Sequence, residues 1–184
     1  LLRRSDALPG LFDYQQDLVA QILEVALGSN ENNAALLALP TGAGKTRTAI
    51  YAVLSLLAKE RVSQVLWLAP SRELLDQAFE AFRALWWNYH PAPSVELLRC
   101  HALGGLPRVA SGTSVYFATP QMVSIRVSKE PHKVPQFDFV VFDEAHQAAA
   151  PVFREVFRRV RKRDGRLVPA IGLSATPGRA HETS

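Results

Sequence analysis

Short apolar runs, each followed by turn residues and then by a helical pattern, constrain this chain more than any other feature. They are "AALLAL" (34–39), "QVLWLA" (64–69), "SVYFAT" (114–119), "FDFVVF" (137–142) and "LVPAIGL" (167–173), with "SVELLR" (94–99) a weaker sixth. The runs are continuously apolar and do not alternate, as strands covered on both faces require. Helical spacing lies between them. Tyr14, Leu18, Ile22 and Ala26 recur at every fourth position before the first run, and Ile50, Val53, Leu54 and Leu57 follow it. Leu74, Leu75, Ala78, Phe79 and Phe82 follow the second. Pro151 opens another helix, with Val152, Phe153, Val156, Phe157 and Val160 on one face and Arg154, Arg158, Arg161 and Lys162 on the others. Such alternation predicts an α/β fold: right-handed crossovers, a mostly parallel sheet and helices on both faces. Ligands of such sheets bind outside the carboxyl ends of the strands. Those ends are where chemistry is to be sought.

Bulk properties narrow the class. A length of 184 residues suits one domain with a substantial core. No apolar run approaches the roughly 18 residues that suggest a membrane span. The opening "LLRRSDALPG" lacks the apolar core and cleavage site of a signal peptide. Cys100 is the sole cysteine, so an intrachain disulfide and a cysteine metal site are excluded, and an intracellular setting is expected. The net charge of +4 is unevenly spread: residues 1–150 hold 13 Lys+Arg against 14 Asp+Glu, and residues 151–184 hold 8 against 3. The excess in "RRVRKRDGR" (158–166) fits a solvated helix face and turn as well as a nucleic-acid patch.

Two strand ends carry chemistry. After the first comes "PTGAGKT" (40–46). Gly42 and Gly44 let backbone N–H groups turn inward around phosphate oxygens, and Thr41 and Ala43 complete the loop. Lys45 places a cation on the β/γ-phosphates, and the Thr46 hydroxyl can ligate Mg²⁺. The helix that starts here points its positive end at the same anion. Leu39 stands where the strict phosphate-loop pattern has its first glycine. At the other end, "FDFVVFDEAHQAA" (137–149) runs from an apolar tract into two adjacent acids. Neighbouring carboxylates repel and lose hydration when buried, which a cation offsets. Asp143 suits the Mg²⁺, partly through its water shell, and Glu144 suits the water attacking the γ-phosphate.

With both ends in place, the chain resembles the first RecA-like lobe of superfamily 2 helicases and translocases, a P-loop NTPase fold. "DEAH" (143–146) matches motif II and "PTGAGKT" matches motif I, in which the first glycine is commonly absent. "APSRELLDQ" (69–77) resembles motif Ia and "ATPQMV" (118–123) motif Ib, which implies that Ser71, Arg72, Thr119 and Pro120 meet the nucleic-acid backbone. "GLSATPGR" (172–179) resembles motif III, so Ser174 and Thr176, together with His146, are expected to couple the ATP site to that track. "LFDYQQDLV" (11–19) resembles the glutamine motif with Phe12-Asp13 in place of Arg-Pro, and Gln15 would read the adenine edge.

The blocks around "DEAHQAAAPVFREV" and "LSATPGR" look most like the restriction-enzyme motor and repair-helicase branch, which implies DNA before RNA as partner. The resemblance implies an ATP hydrolase whose second RecA-like lobe, carrying arginine fingers, is not within these 184 residues. One lobe by itself is expected to be nearly inactive. A different class, a nucleotide-binding switch or scaffold lobe without productive hydrolysis, is disfavoured by the intact Glu144. A small P-loop kinase would leave motifs Ia and III unexplained. Trp86 and Trp87 could stack bases but fit helix-end packing better. Gly104-Gly105 fits a strand-contact loop or a plain turn equally, and His90, His101, His132 and His181 show no ligand spacing.

Overall fold

The computed structural model describes residues 10–28, 33–89, 91–100, 112–149, 151–160, 162–163 and 166–175. All the expected strands form: β1 (Ala34–Ala38), β2 (Gln64–Leu68), β3 (Glu96–Arg99), β4 (Ser114–Ala118), β5 (Phe139–Phe142) and β8 (Ala170–Ser174). They make one six-stranded sheet in the order β1-β8-β5-β2-β4-β3, and every pairing is parallel. A short antiparallel ribbon, β6 (Lys162–Arg163) with β7 (Arg166–Leu167), stands outside it.

Alternate side chains of the inner strands feed two cores, as the two-residue strand period demands. Val65, Trp67, Phe117, Val141 and Ile171 meet helices α1 (Asp13–Ala26), α2 (Lys45–Ala58) and α3 (Arg72–Trp87) on one face. Leu66, Leu68, Tyr116, Val140 and Phe142 meet α4 (Pro120–Lys129) and α5 (Pro151–Val160) on the other. α2 is buried from Thr48 to Leu57, because it lies between α1, α3 and the sheet.

Three expectations need correction. The run at 34–39 does not sit between two covered faces: β1 is an edge strand in which only Leu37 is buried and Leu36 is 53% exposed. An apolar run reports composition, whereas edge or interior position is set by pairing order. The buried positions of α1 are Gln15, Val19, Ile22, Leu23 and Val25; of the expected stripe Ile22 is buried and Leu18 and Ala26 pack half-buried against the same core, while Tyr14 is exposed. A strict spacing of four drifts off a 3.6-residue period within a few turns. Finally, α5 ends at Val160, so Lys162 belongs to the ribbon and not to the helix surface. Arg154 and Arg158 are exposed as expected, while Arg161 lies outside the described residues. No helix is expected from the sequence at 120–129, where the apolar stripe is weak and Thr119 and Pro120 supply the start of α4.

Candidate functional site

Parallel pairing brings three strand ends together. Ala38 of β1 is level with Ser174 of β8, and Phe142 of β5 is level with Gly172 of the same strand. The Leu39 N–H extends the first ladder by donating to the Ser174 carbonyl at 3.2 Å. The phosphate-loop sequence therefore leaves the sheet two strands from Asp143, with buried Ser174 between them.

The loop 40–44 has the backbone that its glycines permit. Gly42 and Gly44 lie at φ +82° and +80°, and Gly44 is the N-cap of α2. A Cβ on Gly42 would meet nothing within 4 Å, whereas one on Gly44 would stand 2.4 Å from Gln15 Nε2. Gly42 is thus required by conformation, Gly44 by conformation and space. Ala43 N–H donates to the Pro40 carbonyl at 3.1 Å, and the Ala43 carbonyl accepts from Gln15 Nε2 at 3.1 Å and Tyr14 Oη at 3.0 Å. Thr41 is exposed at the turn, and Thr46 is half-buried in the first turn of α2. Lys45 Nζ donates to the Leu39 carbonyl at 3.3 Å, which holds the ammonium over the loop.

The acids occupy two different environments. Asp143 is buried, and burial pushes its carboxyl from an ordinary 3.8 up to about 6. The Glu144 N–H, which donates to Asp143 Oδ1 at 3.0 Å, and the Lys45 charge both work against that rise. Glu144 takes φ +52°, a left-handed conformation that costs a side-chain-bearing residue about 1 kcal/mol or more. That bend turns the chain out of β5 and leaves the Glu144 carboxylate partly exposed, with His146 Nδ1 3.1 Å from its Oε2. His146 therefore meets the second acid directly. The turn 145–149 packs on β8 through Gly172, where a Cβ would stand 2.7 Å from the Ala145 Cβ. Gly172 is what allows motif II to lie against the strand that carries Ser174. Thr176 lies outside the described residues, as do Gly104, Gly105, His90, His101 and His181.

These groups line one cleft of about 450 Å³: Gly42, Gly44, Lys45 and Thr46 with Asp143 and Glu144, closed by Leu74, Gln77, Ala78 and Ala81 of α3. A larger groove of about 580 Å³ follows α1 and the open edge of β1, but no cation faces paired acids there. The smaller cleft is the chemically equipped one. Its Thr46 hydroxyl and buried Asp143 carboxylate fit Mg²⁺, which keeps waters and takes one or two protein oxygens beside substrate phosphates. Among the described residues no group of three or more His, Cys, Asp or Glu could hold a metal ion. Gln77 was missed in the sequence. Its signal was the stripe 74, 77, 78 and 81, in which one amide interrupts a small apolar face.

Ser71 and Thr119 are both N-caps. Ser71 Oγ accepts from Leu74 N–H at 3.3 Å and Thr119 Oγ1 from Met122 N–H at 3.4 Å, at the ends of neighbouring strands β2 and β4. Arg72 is exposed beside the first cap, and Pro120 is buried as the first residue of α4. Trp86 packs, with its indole N–H donating to the Pro93 carbonyl at 2.8 Å, while Trp87 is exposed. No helix among the described residues is long and apolar enough to cross a membrane.

Comparison with known proteins matches residues 9–179 to the family of the type III restriction enzyme res subunit. The type I restriction enzyme EcoKI endonuclease subunit of Escherichia coli is 33% identical over 140 residues, covering 75% of this chain and 12% of that protein. The DEAD-box ATP-dependent DNA helicase Fancm of Drosophila melanogaster is 31% identical over 183 residues, covering 94% of this chain and 11% of its own length. The helicase domain of Pyrococcus furiosus Hef superposes with a TM-score of 0.68 at 26% identity, over 99% of this chain and 36% of that one. The type ISP restriction-modification enzyme LlaGI, solved with a DNA substrate mimic, shares the fold with a TM-score of 0.64 at 20% identity, over 96% of this chain and 19% of that one. The chain thus spans only about an eighth of the relatives first named.

Proposed function

The chain belongs to the type III restriction enzyme res subunit family, as an N-terminal RecA-like lobe of the superfamily 2 helicases and translocases near restriction motors and DNA repair helicases, and from that premise we propose that it binds and hydrolyses ATP in a nucleic-acid-dependent motor. Residues 1–184 form one motor lobe, and the partner lobe is supplied by a longer chain. The observation that carries this reading is the convergence of Lys45 and Thr46 with Asp143 and Glu144 on one cleft. Backbone amides of the glycine loop and of the first turn of α2 wrap the β- and γ-phosphates, and Lys45 leaves the Leu39 carbonyl to meet them. Asp143 and Thr46 would hold Mg²⁺, which when bound would supply positive charge against the negative charge that develops on the phosphates. Glu144 orients and deprotonates the attacking water, and His146 holds the Glu144 carboxylate in place between turnovers. Ser174 lies between the phosphate loop and Asp143, where a shift of either strand end moves it; with His146 and Thr176 it carries ATP state to the track.

The two capped helix starts, Ser71-Arg72 and Thr119-Pro120, face the nucleic-acid backbone, with DNA before RNA as partner because the relatives named above include DNA helicases and restriction enzymes. A nucleotide switch without hydrolysis would have no use for the strained backbone that presents Glu144. Such a motor works inside the cell, on the nucleoid or in the nucleus. In a two-lobed protein containing this chain, Glu144→Gln keeps Mg·ATP binding and lowers turnover at least a hundredfold. Lys45→Ala there weakens ATP binding itself by about 2 kcal/mol or more. Parental turnover in Glu144→Gln, or parental ATP affinity in a folded Lys45→Ala protein, contradicts the reading.

A further inference from the structure

A buried hydrogen-bond donor stands behind Asp143 and has no part in the steps above. Trp67 of β2 is fully buried, and its Nε1–H has no hydrogen-bond partner among the described residues. Buried indole nitrogens are ordinarily satisfied, because leaving such a donor unmatched is expensive. A phenylalanine or leucine would fill an interior strand position without that cost. Gln64 Oε1 and Ser114 Oγ are buried in the same state, but they stand where β2 and β4 begin, at the far end of the sheet from the cleft.

Strand register gives the indole its neighbour. Trp67 is level with Val141 across the β2–β5 ladder, and both side chains face the core under α1, α2 and α3. The Asp143 N–H donates to the Leu68 carbonyl at 2.8 Å, which carries that ladder one step past β5. Side chains alternate along a strand, so Asp143, two residues beyond Val141, turns to the same face. The diagonal from position 67 to position 143 is one that a long aromatic side chain spans. The indole is close enough to favour the ionised form of Asp143, though short of hydrogen-bond geometry. Packing fixes the ring, which stacks on Phe117 with centroids 6.0 Å apart. Asp143 Oδ1 accepts from the Glu144 N–H at 3.0 Å, and a carboxylate has room for a second donor and a cation beside it.

We propose that Trp67 is a positioning residue for Asp143: its indole N–H donates to the carboxylate from the core side and fixes the direction in which the acid faces the cleft. This rests on the reading of Asp143 as the acid that holds Mg²⁺. A carboxylate anchored only by its neighbour's backbone can still swing, and a second donor from β2 removes that freedom. Outer donors of this kind change metal affinity by about ten- to a hundredfold.

Calorimetry of ADP binding to this chain, with Mg²⁺ and with a chelator, tests it in a cycle of wild type, Trp67→Phe, Asp143→Asn and the double variant. Trp67→Phe keeps a ring against Phe117 and removes the donor. It is expected to leave affinity in chelator within about twofold of wild type, which also certifies the fold, and to cut the gain from Mg²⁺ about tenfold. Beside Asp143→Asn the same substitution is expected to change nothing further. A parental gain from Mg²⁺ in Trp67→Phe overturns the proposal. So does an equal loss in chelator, the mark of a packing role, or a loss that persists beside Asp143→Asn. If Trp67→Phe does not fold, Trp67→Leu, an ordinary interior-strand residue, carries the same expectations, and failure of both to fold marks a packing role and overturns the proposal. Should wild type itself gain nothing from Mg²⁺, the metal reading of Asp143 falls, and this proposal with it.

Discussion

The ends of β1 and β5 do different work with different materials. β1 runs along the sheet edge, exposed apart from Leu37, and hands over to the glycine loop 40–44, proposed above to meet phosphate mostly with backbone amides. β5 lies inside the sheet, buried at every position, and hands over to two side chains. Backbone amides need only the right φ and ψ, which glycine supplies cheaply, so an anion site can sit on an open edge. A metal acid and a base have to be aimed, and the interior of a sheet aims them by packing. That aim is costly: Asp143 is desolvated until its carboxyl titrates near 6, and Glu144 is bent into the left-handed region. The Asp143–Glu144 end therefore works against stability.

Replacing the acid at the costly end separates the two most sharply. A carboxyl raised from 3.8 to about 6 by folding contributes stability that is complete below pH 4 and is lost as pH climbs through about 6. Asp143→Asn keeps an acceptor for the Glu144 N–H and removes the titration. Metal-free Asp143→Asn is expected to be more stable than wild type by up to about 3 kcal/mol at pH 8, and no more stable at pH 4. Urea unfolding across that range checks it. An advantage that does not grow with pH breaks the contrast.

Next in size is Gly44→Ala at the phosphate end. It forces φ +80° on an L-residue and drives Gln15 from the Ala43 carbonyl, which together costs about 2–3 kcal/mol. Gly42→Ala meets no atom and carries only the conformational part, about 1–2 kcal/mol. Thermal denaturation of the pair measures the gap. Equal losses would mean that Gln15 does not brace the loop. Smallest is Leu36→Ala on the open edge. A half-exposed leucine has little burial to lose, so less than about 1 kcal/mol is expected, well under the 2–5 kcal/mol of a core leucine. A core-sized loss in chemical unfolding would show that β1 is covered in solution.

The same contrast explains what could be read in the sequence. Strands β2, β4 and β5 were legible because strands buried on both faces are apolar throughout, and the turn at 40–44 was legible because its glycines are a conformational requirement written in composition. β1 misled, since "AALLAL" reads like an interior strand and only the pairing order makes it an edge. The commitments of side chains were not legible either. Nothing in "FDYQQ" says that the Gln15 amide is spent on Phe12 and Ala43. Nothing in "GLSAT" says that Gly172 is small to admit Ala145, and the left-handed Glu144 has no residue-type signature at all. Contacts between segments far apart in the chain decide these, and one sequence carries them only after the sheet is assembled.

The β1 end is proposed to bind phosphate by itself, with dependence on the metal residing in Asp143. Calorimetry of ADP binding to wild type and Asp143→Asn, each with Mg²⁺ and with a chelator, measures both halves in one cycle. Equal affinities are expected in chelator, with a gain from Mg²⁺ in wild type that disappears in the variant. A gain from Mg²⁺ that survives Asp143→Asn, or a loss of binding already present in chelator, contradicts it.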